Sequence, residues 1–325
     1  MLGSAISLLR RSILIGIVLA PAIVATPWSG ARSQDRYPSR PIEFIVPWGP
    51  GGGADQLGRM VGKQLETIFG QGVPVVNVPG GTGATGMAKL LAAPADGHSM
   101  AVYIADTHAL LAGSDARWKL EDITPAAVML QAPSFLFVAE NSRFKSWADF
   151  EKEARASPGK LKVATLGFGS VDDFSLKVLE SKGVKVVQVP FSRPSERYVS
   201  ILGGHADALY EQAGDVAQFL SGKQMRPLLV FGTTRSESFK EIPSSHELGY
   251  PVALPQFRAI VVRAGTPPDR LKALADALAK VAASVEYKKF LQDQFADPDS
   301  FIGADRADAF LKAQLEEMKR ATATH

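Results

Sequence analysis

Two glycine-rich segments are the parts of this sequence best suited to bind a ligand. Residues 47–55 contain three consecutive glycines, and residues 77–86 contain a second cluster of glycines with two threonines. Each segment lies between an apolar run and a helix-period segment, so its backbone N–H groups can point together at the start of a helix. Such a group of N–H donors favours an anion. We therefore predict that the two turns hold one carboxylate from two sides, at the carboxyl edge of a sheet.

The second glycine-rich segment also fits a dinucleotide-binding pattern. Residues 81–86 match G-x-G-x-x-G between a strand and a helix, and Asp106 follows the next strand, where such a fold places the acid that binds a ribose. The alternative function is therefore an exported nicotinamide-dependent oxidoreductase. We favour the anion site because the fingerprint normally occupies the first turn of its unit, whereas another glycine-rich turn comes earlier here.

Other catalytic patterns are missing or incomplete in the sequence. Neither glycine-rich turn contains the Gly-Lys-Ser/Thr of a nucleotide triphosphate loop, and Ser170 lacks the spacing of a nucleophile elbow. The histidines are too far apart to form a metal site, at positions His98, His108, His205, His246 and His325. Of these, His108, which follows a strand beside Thr107, is the one that we expect near the ligand. We therefore predict binding without catalysis, with no metal and no cofactor.

The composition argues against nucleic-acid binding and indicates export. The 325 residues include 36 Lys and Arg and 33 Asp and Glu, a net charge of +3 that is too small to indicate a nucleic-acid groove. The absence of cysteine excludes disulfides and thiolate zinc sites. Arg10 and Arg11 precede an apolar run over residues 13–25, and small residues follow up to Ala31. This pattern predicts a secretory signal peptide over residues 1–31 and a periplasmic location after its cleavage.

Beyond residue 31, strand-like apolar runs alternate with helix-period segments. The predicted elements of the first part are strand 42–48, helix 54–68, strand 73–78, helix 84–93 and strand 100–104. The alternation resumes between residues 135 and 231, with a helix over residues 213–220, and the final predicted helices are 268–283 and 306–320. This pattern is typical of an α/β fold with parallel sheets covered by helices on both faces.

Several motifs follow one another in an order that resembles one protein family. They are Pro47-Trp48 with Gly51 to Gly53, Pro79-Gly80 through Gly86, Pro94-Ala95-Asp96-Gly97-His98, Val189-Pro190-Phe191, and Leu202-Gly203-Gly204. From residue 37 almost to the C-terminus, the chain resembles the solute-binding receptors of tripartite tricarboxylate transporters, the Bug family of periplasmic proteins. Each motif alone is weak, but the ordered series is specific.

This resemblance implies a two-lobe α/β periplasmic binding protein of the type II-like class, each lobe a mainly parallel sheet flanked by helices. Residues 34–134 and 256–325 would form one lobe, and residues 135–255 the other, joined by crossover strands. The lobes would close on a small organic carboxylate in the cleft between them. The receptor would then present this ligand to the membrane permease subunits of the transporter.

The resemblance also implies which residues contact the ligand. The two glycine-rich turns would bind a carboxylate through backbone N–H groups, and the facing lobe would close over the rest of the ligand. Together with the pair that follows the strand at residues 100–104, the predicted ligand-binding residues are Trp48, Gly51, Gly52, Gly53, Thr82, Gly83, Ala84, Thr107, His108, Gly169, Ser170, Asp173, Phe191 and Glu211.

Two departures from the family pattern lie on loops expected to line the cleft. Asp173 stands where members often have histidine, and Ser192-Arg193 replaces the usual Lys-Gly. These changes allow the distal half of the ligand to differ from a simple dicarboxylate. Arg193, Arg197 and Arg258 are candidates to pair with a second carboxylate.

The ligand class stays open at this level. Aromatic acids, aliphatic diacids and amino acids each carry a carboxylate that the glycine-rich turns could hold. A sensor that binds the same ligand and docks on a signalling partner would use the same cleft. Transport and sensing are therefore alternative roles for one predicted site.

Overall fold

The computed structural model describes residues 37–113 and 116–323. The expected signal peptide, residues 1–31, lies outside this range, as do residues 34–36 at the start of the expected first lobe. None of the helices in the described part of the chain combines the length and the apolar character of a membrane span.

Strands and helices alternate along the described chain. The strands are β1 (Glu43–Val46), β2 (Val75–Asn77), β3 (Ser99–Ile104), β4 (Ile123–Ala132), β5 (Ser134–Ala139), β6 (Lys162–Thr165), β7 (Val187–Pro190), β8 (Ala208–Gln212), β9 (Met225–Phe231), β10 (Gln256–Arg263) and β11 (Ile302–Gly303). The helices are α1 (Gly53–Phe69), α2 (Ala84–Ala92), α3 (Ala105–Ala109), α4 (Trp147–Ala156), α5 (Val171–Ser181), α6 (Pro194–Leu202), α7 (Ala217–Ser221), α8 (Pro268–Ala283), α9 (Val285–Asp293) and α10 (Ala304–Ala323).

The strands form two separate sheets. The first has six strands in the order β11-β4-β10-β3-β1-β2, and the second has five in the order β7-β6-β8-β5-β9. We call the six-stranded sheet with α1–α3 and α8–α10 the first half, and the five-stranded sheet with α4–α7 the second half. The predicted α/β architecture, with two sheets and flanking helices, is confirmed.

Both sheets are mixed, although the sequence predicted mainly parallel ones. β1 pairs in parallel with β2 and β3, and β6 pairs in parallel with β7 and β8. The pairs of β10 with β3 and β4, of β4 with β11, and of β5 with β8 and β9 are antiparallel. Each antiparallel pair includes β4, β5 or β10, the strands at which the chain passes between the two sheets. Antiparallel neighbours do not need the crossover helix that parallel neighbours usually require.

The chain passes between the sheets at two places. β4 ends at Ala132 in the first sheet and β5 begins at Ser134 in the second, so Pro133 alone separates them. The return runs from Phe231, at the end of β9, through residues 232–255 to β10. Two connections therefore join the halves, one very short and one long.

The alternation of side chains along β5 explains how the halves share a core. Phe135 and Phe137 lie in one apolar cluster, whereas Leu136 belongs to another. Successive strand residues point to opposite faces of a sheet, so β5 is covered on both sides. The cluster of Leu136 also contains Tyr103 and Phe257 of the first half. One apolar core thus extends from the first half into the second.

Candidate functional site

A small buried cavity lies where the two halves meet. Its volume is about 30 Å³, which leaves room for no more than a few water molecules. The cavity is bounded by the start of α1, by α6, by the end of β8 and by the start of β10. The polar side chains that line it include Trp48, Arg197, Tyr198, Glu211, Asp215 and Arg258.

The first glycine-rich turn brings the start of α1 to this cavity. α1 begins at Gly53, and its N-cap residue Gly52 has no side chain that could cap the helix. The Gly53 N–H donates to Asp215 Oδ2 at 3.2 Å. A helix N-terminus favours negative charge at this position. An anion therefore lies at the start of α1, and it belongs to the second half of the protein.

Asp215 also forms a buried ion pair with Arg258 of β10. Arg258 Nη2 lies 2.6 Å from Asp215 Oδ1 and 2.8 Å from Oδ2, and Arg258 Nη1 donates to Gln294 Oε1 at 3.2 Å. A Cβ atom at Gly53 would lie 2.0 Å from Arg258 Nη2. Glycine is required at this position because the ion pair fills the space that any other side chain would need.

A second buried ion pair joins Arg197 of α6 to Glu211 of β8. Glu211 Oε1 also accepts the N–H of Gln212 at 3.0 Å. Burial raises the pKa of Glu211 to about 7, although the Arg197 charge acts in the opposite direction. The pair places one positive and one negative side chain of the second half against the cavity.

Four hydrogen-bond donors around the cavity have no partner in the described part of the chain. They are Trp48 Nε1, Arg197 Nε, Arg197 Nη1 and the Tyr198 hydroxyl. Trp48, Arg197 and Tyr198 are 7%, 3% and 4% exposed, so bulk water does not reach these atoms. A buried donor without a partner costs about 1–3 kcal/mol. Because a carboxylate brings two acceptor oxygens, it can pair with these donors when the halves move apart enough to expose them.

Two further carboxylates lie beside these ion pairs. Asp106 of α3 accepts the N–H of Val171 at 3.0 Å and Gln256 Nε2 at 2.8 Å. Asp172 accepts the N–H of Leu166 at 2.8 Å. Burial raises the pKa of Asp106 to about 6, and burial together with the Asp106 charge raises the pKa of Asp172 well above its usual value. Asp106 is the ribose acid of the dinucleotide alternative, but here both of its oxygens accept hydrogen bonds from the protein.

The second glycine-rich turn lines a different and larger cavity. Gly81–Gly83 form a 3₁₀ turn in which Thr82 adopts a left-handed conformation with φ 53°. A Cβ atom at Gly86 would lie 2.6 Å from Pro47 Cβ, so the two glycine-rich turns pack closely together. The second cavity has a volume of about 580 Å³, and the residues lining it include Thr82, Ala84, Leu110, Arg117, Trp118 and Phe168. The joint grip of both turns on one carboxylate stays a prediction.

Gly169, Ser170 and Asp173 shape the turn that begins α5. Ser170 Oγ accepts the N–H of Asp173 at 3.3 Å and donates to the Gly167 carbonyl at 2.5 Å. Asp173 Oδ2 accepts the N–H of Gly169 at 2.9 Å and forms an ion pair with Lys177 at 2.8 Å. These bonds engage the side chains of Ser170 and Asp173 within the second half, and neither residue lines the 30 Å³ cavity.

Three other predicted site residues lie around the turns rather than on the small cavity. Gly51 is exposed and donates its N–H to Asp55 Oδ2 at 3.0 Å. Thr107 is fully buried, and its hydroxyl lies against Gly83 without a hydrogen-bond partner in the described chain. Phe191 is half-buried and packs on an apolar cluster of the second half.

His108 lies in the core of the first half, whereas the sequence suggested a position near the ligand. Its Nδ1 is 3.1 Å from the Tyr103 hydroxyl, and its Nε2 is 2.9 Å from the Leu311 carbonyl of α10. Burial lowers the pKa of His108 to about 4. Both ring nitrogens are therefore used in holding α3 to α10, and His108 does not line the small cavity.

Sequence reasoning did not identify Tyr198, Asp215 or Gln256 as part of this site. The helical pattern over residues 213–220 predicts Asp215 inside a helix, but α7 begins at Ala217 and leaves Asp215 in the loop after β8. The adjacent Gly-Asp pair is a turn signal that could have revealed this loop. Tyr198 carries no comparable signal, because its spacing on α6 is also that of an ordinary core residue.

Comparison with known proteins identifies relatives of this chain. Residues 57–322 match the family described as tripartite tricarboxylate transporter family receptor. Protein BugT of Bordetella pertussis is 30% identical over 268 residues, which cover 80% of each chain. MatC from Rhodopseudomonas palustris, solved with bound malate, has a TM-score of 0.80 at 21% identity and covers 88% of this chain and 99% of its own. R. palustris Rpa4515 with adipate has a TM-score of 0.81 at 21% identity and covers 89% of this chain and 98% of its own.

These comparisons agree with the order of motifs in the sequence. The structural likenesses show that the two-sheet fold is that of periplasmic binding proteins. The family match covers most of the chain, including part of the first glycine-rich helix, the whole second turn and all of α6 and β8. The chain therefore belongs to the receptor family of the tripartite tricarboxylate transporters, as its resemblance to that family predicted.

Proposed function

We propose that this chain is a periplasmic solute-binding protein that captures a small organic carboxylate for a tripartite tricarboxylate-type transporter. The observation that carries this proposal is the set of four unpaired donors on Trp48, Arg197 and Tyr198, three buried residues that line the cavity between the halves. A group with two acceptor oxygens fits these donors. The malate and adipate bound by the two R. palustris proteins are carboxylates, which supports the same ligand class.

The unpaired donors come from both halves of the protein. Trp48 follows β1 in the first half, whereas Arg197 and Tyr198 lie on α6 in the second. A carboxylate between them contacts both halves only when the halves are together, so the ligand favours the closed arrangement. Since a cavity of about 30 Å³ cannot admit a whole organic acid, the ligand enters while the halves are apart.

The moving parts in this proposal are two lobes. Residues 34–134 with 256–325 form one lobe, and residues 135–255 form the other. The strand composition of the two sheets and the chain crossings at Pro133 and before Gln256 support these bounds. With a signal peptide over residues 1–31, the receptor acts in the periplasm and delivers its ligand to the membrane permease subunits.

The proposed role is binding rather than catalysis. Four of the charged side chains that line the small cavity form ion pairs, Arg197 with Glu211 and Arg258 with Asp215, and the fifth, Asp106, accepts hydrogen bonds from the protein. Among the described residues that line it there is no serine, histidine or lysine to serve as a nucleophile or a base in a conventional pair. These side chains are instead arranged to orient a bound acid and to exclude water from it.

Tyr198→Phe tests the proposal, because the Tyr198 hydroxyl has no partner in the described part of the chain. A thermal-shift screen of aliphatic, hydroxy, aromatic and amino acids first identifies the best ligand, and titration calorimetry then measures its affinity. We expect Tyr198→Phe to keep or slightly raise the stability of the protein and to weaken binding about ten- to a hundredfold, the value of one hydrogen bond to a carboxylate.

Tyr250→Phe is the matched control for this experiment. The Tyr250 hydroxyl donates to Glu151 Oε1 at 2.7 Å, away from the cavity. Its loss should lower stability and leave the affinity for the acid unchanged. Equal affinities of wild type and Tyr198→Phe would contradict the proposed carboxylate position. Binding of a nicotinamide dinucleotide, with no response to any acid, would instead support the oxidoreductase alternative.

A further inference from the structure

We propose that this receptor selects monocarboxylates over dicarboxylates, and that Asp215 sets this selectivity by occupying a second carboxylate position. The inference rests on the proposed function, because it names the ligand class for the same cavity. The proposed ligand class differs from the ligands bound by the two R. palustris proteins, because malate and adipate each carry two carboxylates.

The cavity offers two positions that attract a carboxylate. The first lies among the unpaired donors of Trp48, Arg197 and Tyr198. The second lies at the start of α1, where the Gly53 N–H and the Arg258 guanidinium point at the same group. A ligand can use the first position directly, whereas the second already holds the side chain of Asp215.

Several contacts keep Asp215 in the second position. Its two oxygens lie 2.6 and 2.8 Å from Arg258 Nη2, and Oδ2 also accepts the Gly53 N–H. The side chains of Arg258 and Asp215 are only 4% and 6% exposed. A ligand carboxylate that displaced Asp215 would leave this carboxylate unpaired in a buried cavity, which is strongly unfavourable.

The balance of charge also disfavours a second ligand carboxylate. The two guanidinium groups that line the cavity already pair with carboxylates, Arg197 with Glu211 and Arg258 with Asp215. A first ligand carboxylate can still use the unpaired Nε and Nη1 of Arg197. A second ligand carboxylate finds no further cationic side chain among the described residues that line the cavity.

Matched pairs of acids test the inference. We would titrate butyrate against succinate, hexanoate against adipate, and benzoate against terephthalate, using calorimetry on wild type, Asp215→Asn and Glu196→Gln. Asparagine keeps the shape of Asp215 but leaves Arg258 without a charged partner. Glu196 lies on α6 with its side chain 53% exposed, so Glu196→Gln removes one negative charge without touching the cavity.

The wild type should bind the monoacid of its best pair at least ten times more tightly than the diacid. In Asp215→Asn the affinity for the diacid should rise at least tenfold, so that the ratio of the monoacid affinity to the diacid affinity approaches one or inverts. Glu196→Gln should keep the wild-type ratio. Circular dichroism checks that each variant is folded. If Asp215→Asn does not fold, Asp215→Ser takes its place in the test of Asp215, and the ratio measured on wild type still tests the preference for monoacids.

Two results would overturn the inference while leaving the proposed function intact. One is a wild type that prefers the diacid, and the other is a folded Asp215→Asn variant with the wild-type ratio. A folded wild type that binds none of the six acids would contradict the proposed carboxylate function, and the inference with it.

Discussion

The Asp106 carboxylate accepts the N–H of Val171 at 3.0 Å, and these two residues belong to opposite halves of the protein. A reciprocal contact joins Asp215 of the second half to the Gly53 N–H of the first at 3.2 Å. Each half therefore supplies a carboxylate to a helix N-terminus of the other, at α5 and α1. A helix N-terminus favours negative charge, so each carboxylate lies at a position suited to it, and both contacts exist only while the halves touch.

Gly53→Ala should break the ion pair between Asp215 and Arg258. The new Cβ atom would lie 2.0 Å from Arg258 Nη2 and 2.1 Å from Asp215 Oδ1, so the two side chains would have to move apart. We expect the free energy of unfolding to fall by about 3–5 kcal/mol, the usual cost of breaking a buried pair. Urea denaturation measures this change.

Gly72→Ala is the control for Gly53→Ala. A Cβ atom at Gly72 would lie 3.9 Å from Pro41, which is ordinary contact. Its effect on the free energy of unfolding should stay within about 0.5 kcal/mol. If the two alanine variants were equally stable, Gly53 would not be required by the ion pair.

The raised pKa of Asp106 predicts a stabilising contribution that is lost as pH rises. The usual pKa of aspartate is about 3.9, and burial raises that of Asp106 to about 6 in the folded protein. The folded state therefore holds this proton more tightly, so the contribution is present at low pH and disappears as pH rises through about 6. Relative to wild type, the free energy of unfolding of Asp106→Asn should rise by up to about 3 kcal/mol as pH increases from ~4 to ~7.

Urea denaturation at a series of pH values measures the difference between Asp106→Asn and wild type. The control is Asp269→Asn, because Asp269 is exposed in the first turn of α8. This variant shows how much of the change comes from removing one carboxylate at the surface. A difference from wild type that stays constant with pH for Asp106→Asn would show that Asp106 has no raised pKa in the folded protein.

His108 should give the opposite dependence on pH. Burial lowers its pKa to about 4, compared with a usual value of about 6.5. The unfolded chain then takes up a proton that the folded protein does not, so this residue lowers stability as pH falls from about 6.5 towards 4. Compared with wild type, the free energy of unfolding of His108→Gln should rise by up to about 3 kcal/mol as pH falls over that interval. The same denaturation series measures this change.

His205→Gln serves as the control for His108→Gln, since His205 is exposed after α6. This variant shows the effect of replacing one exposed histidine by glutamine. Identical pH curves for the two glutamine variants would mean that the pKa of His108 is not lowered by burial in the folded protein.

Phe168 should contribute to binding without contributing to stability. It is 68% exposed and lines the second cavity with Leu110 and Trp118. Because the small cavity has only about 30 Å³, an alkyl chain beyond the carboxylate needs other apolar walls when the halves close. Phe168→Ala should change the free energy of unfolding by less than about 0.5 kcal/mol. In calorimetry it should weaken the binding of hexanoate more than the binding of butyrate. An equal effect on both acids would place the alkyl chain elsewhere.

The helices with a regular leucine stripe could be predicted from the sequence almost to the residue. The pattern over residues 268–283 gives the bounds of α8, where Leu274 and Leu278 are fully buried. The following helix α9 was not predicted. Its N-cap residue Ser284, whose Oγ accepts the N–H of Tyr287 at 3.1 Å, is the sequence signal that could have indicated its start.

The long strand β4 was also not predicted. It contains Pro125 and several alanines, and neither gives the alternation or the β-branched run that indicates a strand. Its pairing with β10, and not a local preference, holds it in the sheet.

The candidate site could be predicted only as far as single segments carry their own signal. Glycines marked the start of α1, and the family resemblance indicated Trp48 and Glu211. The contact between Gly53 and Asp215 spans 162 positions in sequence, so no local pattern reports it. Its prediction requires knowing that β8 and the start of α1 meet across the boundary between the halves.

The reciprocal contacts of Asp106 and Asp215 bear on how a membrane partner would distinguish a loaded receptor from an empty one. Both helix ends are occupied by carboxylates of the protein itself, so the proposed closed cleft has these contacts before any solute arrives. In a transporter of the proposed kind, a permease that recognised the shut shape alone would accept unloaded receptors as readily as loaded ones. Such a permease would therefore have to recognise a part of the receptor surface near the cleft that differs between the empty and the acid-bound receptor.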